Sequence, residues 1–147
     1  MSDVNQEIST PLDCPIRNFS VLLSSTRRGA RLARLLATEQ LRSWGLPSED
    51  AAHVVAELAA NAATHGRTAG RGFRLLMYVV GNTVRIEVTD TCGERPPRLQ
   101  LPSGADENGR GLVIVEALAD RWGVSLGPRP RKTVWAELTV TRSAARR

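Results

Sequence analysis

The chain has 147 residues, of which 41% are hydrophobic and 24% are charged, a composition typical of one soluble globular domain. Two cysteines and two histidines are too few and too scattered for a zinc finger or a disulfide scaffold. The net charge is +5, but the basic residues are scattered and only 4% of residues are aromatic, which argues against direct nucleic-acid binding.

The two ends of the chain differ from its middle. Residues 1–15 are polar and contain two prolines, so we expect a flexible arm there, followed by one domain over residues 16–141 and a basic tail over residues 142–147. No stretch approaches the roughly 18 apolar residues that a membrane span requires. The N-terminus also has no signal-peptide pattern, so a cytoplasmic protein without membrane contact is expected.

The first half of the domain predicts one strand and two helices. The segment RNFSVLL, residues 17–23, favours a strand, and the next segment has the apolar periodicity of a helix that ends at Gly45 as its C-cap. Ser48 is a favourable N-cap for a second helix, which is predicted to run to His65.

The second half predicts four strands and one helix. Two β-prone runs around Gly81-Asn82 indicate a hairpin, and residues 91–108 have the composition of a long loop. A third helix is predicted over residues 109–123, and the last two strands over residues 124–128 and 133–141. This order favours an α+β two-layer sandwich, with helices on one face of a mixed, mostly antiparallel sheet.

The second predicted helix carries a narrow polar face. Glu57, Asn61 and His65 are spaced four residues apart, and such positions lie close together on a helix surface. A solvent-facing strip is the ordinary interpretation of a polar face. The alternative is a cation site, because carboxylate and amide oxygens suit Mg²⁺, which also binds substrate phosphates.

Two further features are compatible with a bound nucleotide. Gly109, Arg110 and Gly111 open the third helix, where backbone N–H groups and an arginine favour phosphate, although glycines also simply begin turns. Asp90 ends a predicted strand, where a carboxylate can accept a hydrogen bond from an exocyclic amine, although aspartate also commonly starts a turn.

Taken together, these motifs resemble those of the GHKL (Bergerat-fold) ATP-binding domains. The segment ELAANAATHG is similar to that family's N-box, VTD to its first glycine box, GRGLVIVEAL to its second, and KTVWAEL to its closing strand. The resemblance covers about residues 16–140, and it is greatest to the stand-alone serine/threonine kinases that act as anti-sigma factors in Gram-positive bacteria. It implies the same α/β sandwich and the binding of ATP and Mg²⁺.

The resemblance also implies a role for individual residues. Asn61 would coordinate Mg²⁺, Glu57 would be the general base, and His65 would lie near the phosphates. Asp90 would hold the adenine amino group with help from Thr133. Gly93 would belong to the first glycine box. Gly109, Arg110 and Gly111 would belong to the lid and the helix start around the phosphates.

The first glycine box departs from the family pattern D-x-G-x-G. Cys92 and Glu94 occupy its two glycine positions, and Gly93 is displaced between them. A side chain at Cys92 would narrow the adenine pocket. The departure therefore keeps open a second hypothesis, a binding module that turns over little or no ATP.

The resemblance implies a protein serine/threonine kinase that sequesters a sigma factor and phosphorylates an anti-anti-sigma (STAS-type) antagonist. Kinases of this type are often dimers, so a homodimer is compatible with it. A histidine kinase fragment is a weaker hypothesis, because no helix pair with a phospho-acceptor histidine precedes the domain in this sequence.

Overall fold

One sheet carries three helices in the computed structural model, which describes residues 17–65, 72–90, 107–126 and 132–140. In chain order the elements are β1 (Arg17–Ser24), α1 (Arg27–Ser43), α2 (Glu49–His65), β2 (Gly72–Val80), β3 (Thr83–Asp90), α3 (Glu107–Leu118), β4 (Arg121–Leu126) and β5 (Lys132–Thr139). The predicted order of strands and helices is confirmed. Within the described ranges, no helix has the length and apolar character that crossing a membrane requires.

The strands lie in the order β1-β2-β3-β5-β4. Each neighbouring pair that the structure describes is antiparallel, so the sheet is antiparallel rather than mixed. This arises because the chain passes from β3 through α3 to the edge strand β4, and β5 then runs back between β3 and β4. The predicted hairpin is confirmed, and its turn residue Gly81 has a φ of 61°, which glycine adopts without strain.

The sheet has an inner face that packs against the helices and an outer face that does not. Successive residues of a strand point to opposite faces, and most inner-face positions of the three central strands are apolar and buried. These positions are Phe73, Leu75, Met77, Val84, Ile86, Val88, Val134, Ala136 and Leu138. Together with side chains of α1 and α2 they form the hydrophobic core.

Helix α2 lies at the centre of the helical layer, in contact with both other helices and with three strands. Alanines allow this close packing, since Ala33 and Ala37 of α1 and Ala59 of α2 are fully buried. The alanines of α2 therefore lie partly in the core, while the polar residues of the same helix remain on a separate side.

The ends of α1 are determined by local hydrogen bonds. The hydroxyl of Thr26 caps the first turn by accepting from a backbone amide at 3.0 Å. At the other end Gly45 donates to the carbonyl of Arg42, and Leu46 donates to that of Leu41, both at 2.9 Å. This is a Schellman motif, and Gly45 has the positive φ of 76° that it requires. The predicted end of the helix at this glycine is confirmed.

The prediction that the third helix continues to Gly123 is wrong, because α3 ends at Leu118. The Asp120 carboxylate accepts from the backbone amide of Thr139 at 2.7 Å and from its hydroxyl at 2.6 Å. The Asp120 amide donates to the carbonyl of Glu137 at 2.8 Å. These bonds attach the chain to β5, and strand β4 begins at the next residue, Arg121. The apolar periodicity of the sequence alone favours a longer helix.

The outer face carries a network of charged and aromatic side chains. Arg85 donates to Glu87 and to Glu137, each at 2.8 Å, and Arg121 donates to Glu137 at 2.7 Å. The Arg85 guanidinium lies 4.3 Å from the centre of the Trp135 ring, which is cation–π geometry. The network joins β3, β5 and β4 on the side of the sheet opposite the helices.

Gly123 is the cross-strand partner of Trp135. A Cβ atom at this position would lie 2.8 Å from Cζ2 of the indole, closer than non-bonded carbon atoms approach. Because Gly123 has no side chain, the Trp135 ring can pack against its backbone.

We expect the carboxylates at the β4–β5 edge to make folding acid-sensitive. Hydrogen bonds from Arg85 and then Arg121 hold the pKa of Glu137 below its ordinary value of 4.5. Hydrogen bonds from Thr139 hold the pKa of Asp120 below its ordinary value of 3.8. A carboxyl whose folded pKa is lowered stabilises the fold above its ordinary pKa, and this contribution is lost as pH falls through the folded pKa.

Thermal unfolding measured from pH 7 down to pH 3 tests this expectation. Glu137→Gln should lower the melting temperature at pH 7 and reduce its fall below pH 4.5. Glu116→Gln, at an exposed position of α3, serves as the control and should follow the wild-type curve. A Glu137→Gln curve parallel to wild type would contradict the assignment.

Candidate functional site

A pocket lies between α2 and the inner face of the sheet, at the end of β3. It is a shallow recess that is continuous with solvent, with a cavity volume of about 10 Å³. Its lining residues are Leu58, Asn61 and Ala62 of α2, Val88 and Asp90 of β3, and Lys132 and Val134 of β5. Four of these are apolar, so the pocket combines a hydrophobic wall with one amide, one carboxylate and one ammonium group.

Asp90 is placed in this pocket by the alternation of β3. Val84, Ile86 and Val88 point to the inner face, and Asp90 continues the series as the last residue of the strand. Its side chain is buried, with 8% of its surface exposed. A buried carboxylate at a strand end can accept hydrogen bonds from a ligand that displaces water from the apolar wall.

Asn61 reaches the pocket from the side of α2. Its neighbours Leu58 and Ala62 are buried in the core, while Asn61 itself is half-buried at the edge of the helix. Its amide therefore borders both the apolar wall and solvent. The structure brings Asn61 and Asp90, which lie on different predicted elements, into the same pocket.

Glu57 lies one helical turn before Asn61 and is not among the lining residues of the pocket. Its Oε2 atom is 3.7 Å from Nε2 of His53, and its side chain is 27% exposed. Glu57 is thus partly exposed beside the pocket. This is a position from which a carboxylate could meet a protein substrate rather than a nucleotide base.

Thr133 is not brought together with Asp90. Its Oγ1 atom is 2.8 Å from Oγ1 of Thr89, and this hydroxyl pair lies on the outer face. The inner-face position directly opposite Asp90 belongs instead to Lys132. The motif match at KTVWAEL identifies the strand but does not determine which of its residues points into the pocket.

Lys132 was not singled out by the sequence motifs. The signal that identifies it is strand alternation, because Val134, Ala136 and Leu138 occupy the inner face and Lys132 continues that series. It is also the single lysine of the chain.

The remaining predicted residues are placed by their backbone alone. His65 is the last residue of α2. The helix α3 begins at Glu107, so Gly109 and Arg110 lie in its first turn and Gly111 follows them. Cys92, Gly93 and Glu94, like most of the predicted loop at 91–108, lie outside the described residues, as do the predicted N-terminal arm and the basic tail.

The donor set of the pocket fits a metal ion that is shared with a ligand. Among the residues whose structure is described, no group of three or more His, Cys, Asp or Glu side chains is arranged to hold a metal ion. One amide oxygen at Asn61 is compatible with Mg²⁺, which is commonly held by one or two protein ligands together with substrate phosphates.

Comparisons with known proteins agree with this architecture. The family model described as Histidine kinase-like ATPase domain matches residues 23–137. An uncharacterized Streptomyces coelicolor protein is 48% identical over 52 residues, which are 35% of this chain and 49% of that protein. The fold is similar to a crystal structure of the RsbU and RsbW domains of Rv1364c from Mycobacterium tuberculosis, with a TM-score of 0.65 and 21% identity, over 86% of this chain and 33% of that chain.

The Thr89–Thr133 hydroxyl pair leads to a prediction about stability. Thr133→Val removes the hydrogen bond between the two hydroxyl groups. We expect the Thr89→Val/Thr133→Val double variant to lose no further stability from that bond, because it is already absent. The coupling free energy between the two positions should be about 0.5–1.5 kcal/mol in a double-mutant cycle of urea unfolding. Additive effects of the two substitutions would show that the hydroxyl groups do not interact.

Proposed function

Because the chain belongs to the histidine kinase-like ATPase domain family, we propose that it binds Mg-ATP in the pocket between α2 and β3 and is a protein serine/threonine kinase. The observation that carries the proposal is the presence of Asn61 and Asp90 in one pocket beside an apolar wall. The proposed substrate is an anti-anti-sigma (STAS-type) antagonist, and the proposed target of sequestration is a sigma factor.

The base of ATP would occupy the buried end of the pocket. Leu58, Val88 and Val134 supply apolar surface for a flat ring, and Asp90 supplies a hydrogen-bond acceptor for the exocyclic amine of adenine. Since a carboxylate accepts and does not donate, it favours a base with an amino group at this edge.

The phosphates would lie toward Asn61 and the N-terminus of α3. Helices α2 and α3 contact each other, so this N-terminus belongs to the same side of the domain. Its first backbone N–H groups favour phosphate oxygens, and Arg110 lies in that turn. Mg²⁺, when bound through the amide oxygen of Asn61, would neutralise phosphate charge.

Glu57 is the proposed general base. It would accept the proton of the substrate hydroxyl as the hydroxyl oxygen forms a bond to the γ-phosphorus and the bond from that phosphorus to the β-phosphate oxygen breaks, releasing ADP. Its partly exposed position beside the pocket suits a protein substrate that approaches from outside. Nε2 of His53, one helical turn earlier, lies 3.7 Å from Oε2 of Glu57, which is too long for a hydrogen bond.

The proposed protein partners are supported by an exposed surface on α1. Leu32 and Leu35 are 41% and 60% exposed on this helix. The exposed Arg28 and Arg31 lie beside them. Apolar side chains next to arginines are common in protein interfaces.

The second candidate function is a binding module that sequesters a partner with little or no phosphoryl transfer. The altered sequence around Cys92 and Glu94 favours it, because side chains replace the glycines at which the family's backbone approaches the nucleotide. Both functions use the same fold, so a measurement of phosphoryl transfer from ATP distinguishes them, whereas the fold does not.

Nucleotide binding is tested by calorimetry with Mg-ATP. We expect binding by wild type and at least about 100-fold weaker binding by Asn61→Ala, since a metal ligand is lost. Asn18→Ala, an exposed asparagine on the outer face of β1, is the matched control and should bind as wild type does. Circular dichroism checks that both variants remain folded. The absence of heat from wild type at millimolar Mg-ATP would exclude the nucleotide proposal.

Phosphoryl transfer is tested by incubating the protein with Mg-ATP and an anti-anti-sigma antagonist, followed by mass spectrometry for phosphoserine or phosphothreonine. Glu57→Ala should lower the rate by about 100- to 10,000-fold while ATP affinity is retained. Glu116→Ala is the control. Equal product from wild type and Glu57→Ala would remove Glu57 as the base, and no product from wild type would favour the binding module.

A further inference from the structure

Among the described lining residues of the pocket, Lys132 is the polar one to which the nucleotide proposal gives no role. The antiparallel register of β3 and β5 places it directly opposite Asp90, and both residues line the same pocket. The Cβ atoms of such cross-strand partners lie about 4.5–5.5 Å apart. The carboxylate and the ammonium group can therefore reach neighbouring atoms on one edge of a ligand.

We propose that Lys132 reads the nucleotide base together with Asp90 and makes the pocket selective for adenine over guanine. This inference rests on the proposed binding of ATP. A carboxylate only accepts hydrogen bonds and an ammonium group only donates them, so the pair presents one acceptor beside one donor. Adenine offers the complement on its Watson–Crick edge, with the N6 amino group as donor and the adjacent N1 as acceptor.

Guanine presents the opposite order at the same two positions. Its O6 is an acceptor and its N1–H is a donor, so O6 would meet the Asp90 carboxylate and N1–H would meet the Lys132 ammonium group. Each mismatch sets a charged group against a base atom of the wrong hydrogen-bonding type in a partly apolar pocket, which is costly because water has been displaced there. Asp90 and Lys132 therefore discriminate jointly.

A competing role for Lys132 is to neutralise the Asp90 carboxylate without touching the ligand. The two roles differ in what removal of the ammonium group does. If Lys132 donates to N1, its loss weakens ATP binding. If it only balances the charge of Asp90, its loss leaves ATP binding equal or tighter.

Calorimetry of the full chain distinguishes them with three ligands, Mg-ATP, Mg-GTP and the Mg complex of 1-deaza-ATP, in which a C–H group replaces N1. Wild type should bind ATP about 10- to 100-fold more tightly than 1-deaza-ATP, the range expected for a hydrogen bond from a charged group. Lys132→Met keeps the aliphatic stem and should bind both adenine ligands with the weaker affinity. Its preference for ATP over GTP should fall by a similar factor.

Arg42→Met is the matched control, because it removes one positive charge from an exposed position in the last turn of α1. It should keep the wild-type preference among the three ligands. Circular dichroism and thermal unfolding establish that Lys132→Met is folded before its affinities are compared.

A second measurement keeps the inference falsifiable if Lys132→Met does not fold. Because Lys132 is the single lysine, wild-type protein labelled with ¹⁵N-lysine carries one side-chain nitrogen signal. ATP should shift that signal, and 1-deaza-ATP should shift it markedly less. Equal shifts with the two ligands would overturn the inference.

The outcomes also distinguish the role of Lys132 from the proposed binding of ATP on which it rests. No binding of ATP by wild type would remove the nucleotide function and the role of Lys132 with it. Binding of ATP with no loss on 1-deaza substitution, or with undiminished affinity in Lys132→Met, would remove the role of Lys132 alone.

Discussion

The antiparallel register between β3 and β5 determines which side chains meet on each face of the sheet. On the inner face it places Asp90 beside Lys132, and on the outer face it places Thr89 beside Thr133. Because side chains alternate along a strand, a slip of one residue would exchange these faces and remove the carboxylate from the pocket. Hydrophobic burial holds the register, since Val88 and Val134 are partners in the core one step further along the same face.

Helix α2 depends on that register and completes the pocket. Its apolar side packs on the sheet, which fixes the rotation of the helix about its axis and thus the direction of its polar side. Asn61 consequently borders the pocket, whereas Glu57 lies one turn away and is partly exposed. The amide at the pocket and the carboxylate beside it are in this way presented by the same helix, which limits their relative motion.

Local signals in the sequence were sufficient for most of the fold. The Gly81-Asn82 turn, the end of α1 at Gly45 and the limits of α2 all depend on residues close in the chain, and each is found where it was predicted. The end of α3 could not be predicted in this way, because the bonds from Asp120 to residues of β5 are distant in sequence. In the pocket, too, some residues could be predicted from nearby sequence and others depend on contacts between distant segments. Motif spacing identified Asn61 and Asp90, but only the pairing of strands shows that Lys132, and not Thr133, faces them.

The contact between Gly123 and Trp135 has a consequence for how this sequence can vary. The indole lies against a backbone that carries no side chain, and the Arg85 guanidinium lies over the ring. A larger residue at position 123 would displace the ring and with it a cation that binds two glutamates on the outer face. Positions 123 and 135 are therefore sterically coupled: a side chain fits at 123 only where the residue at 135 is smaller. The outer face of the sheet thus has a packing requirement of its own, separate from that of the pocket on the inner face.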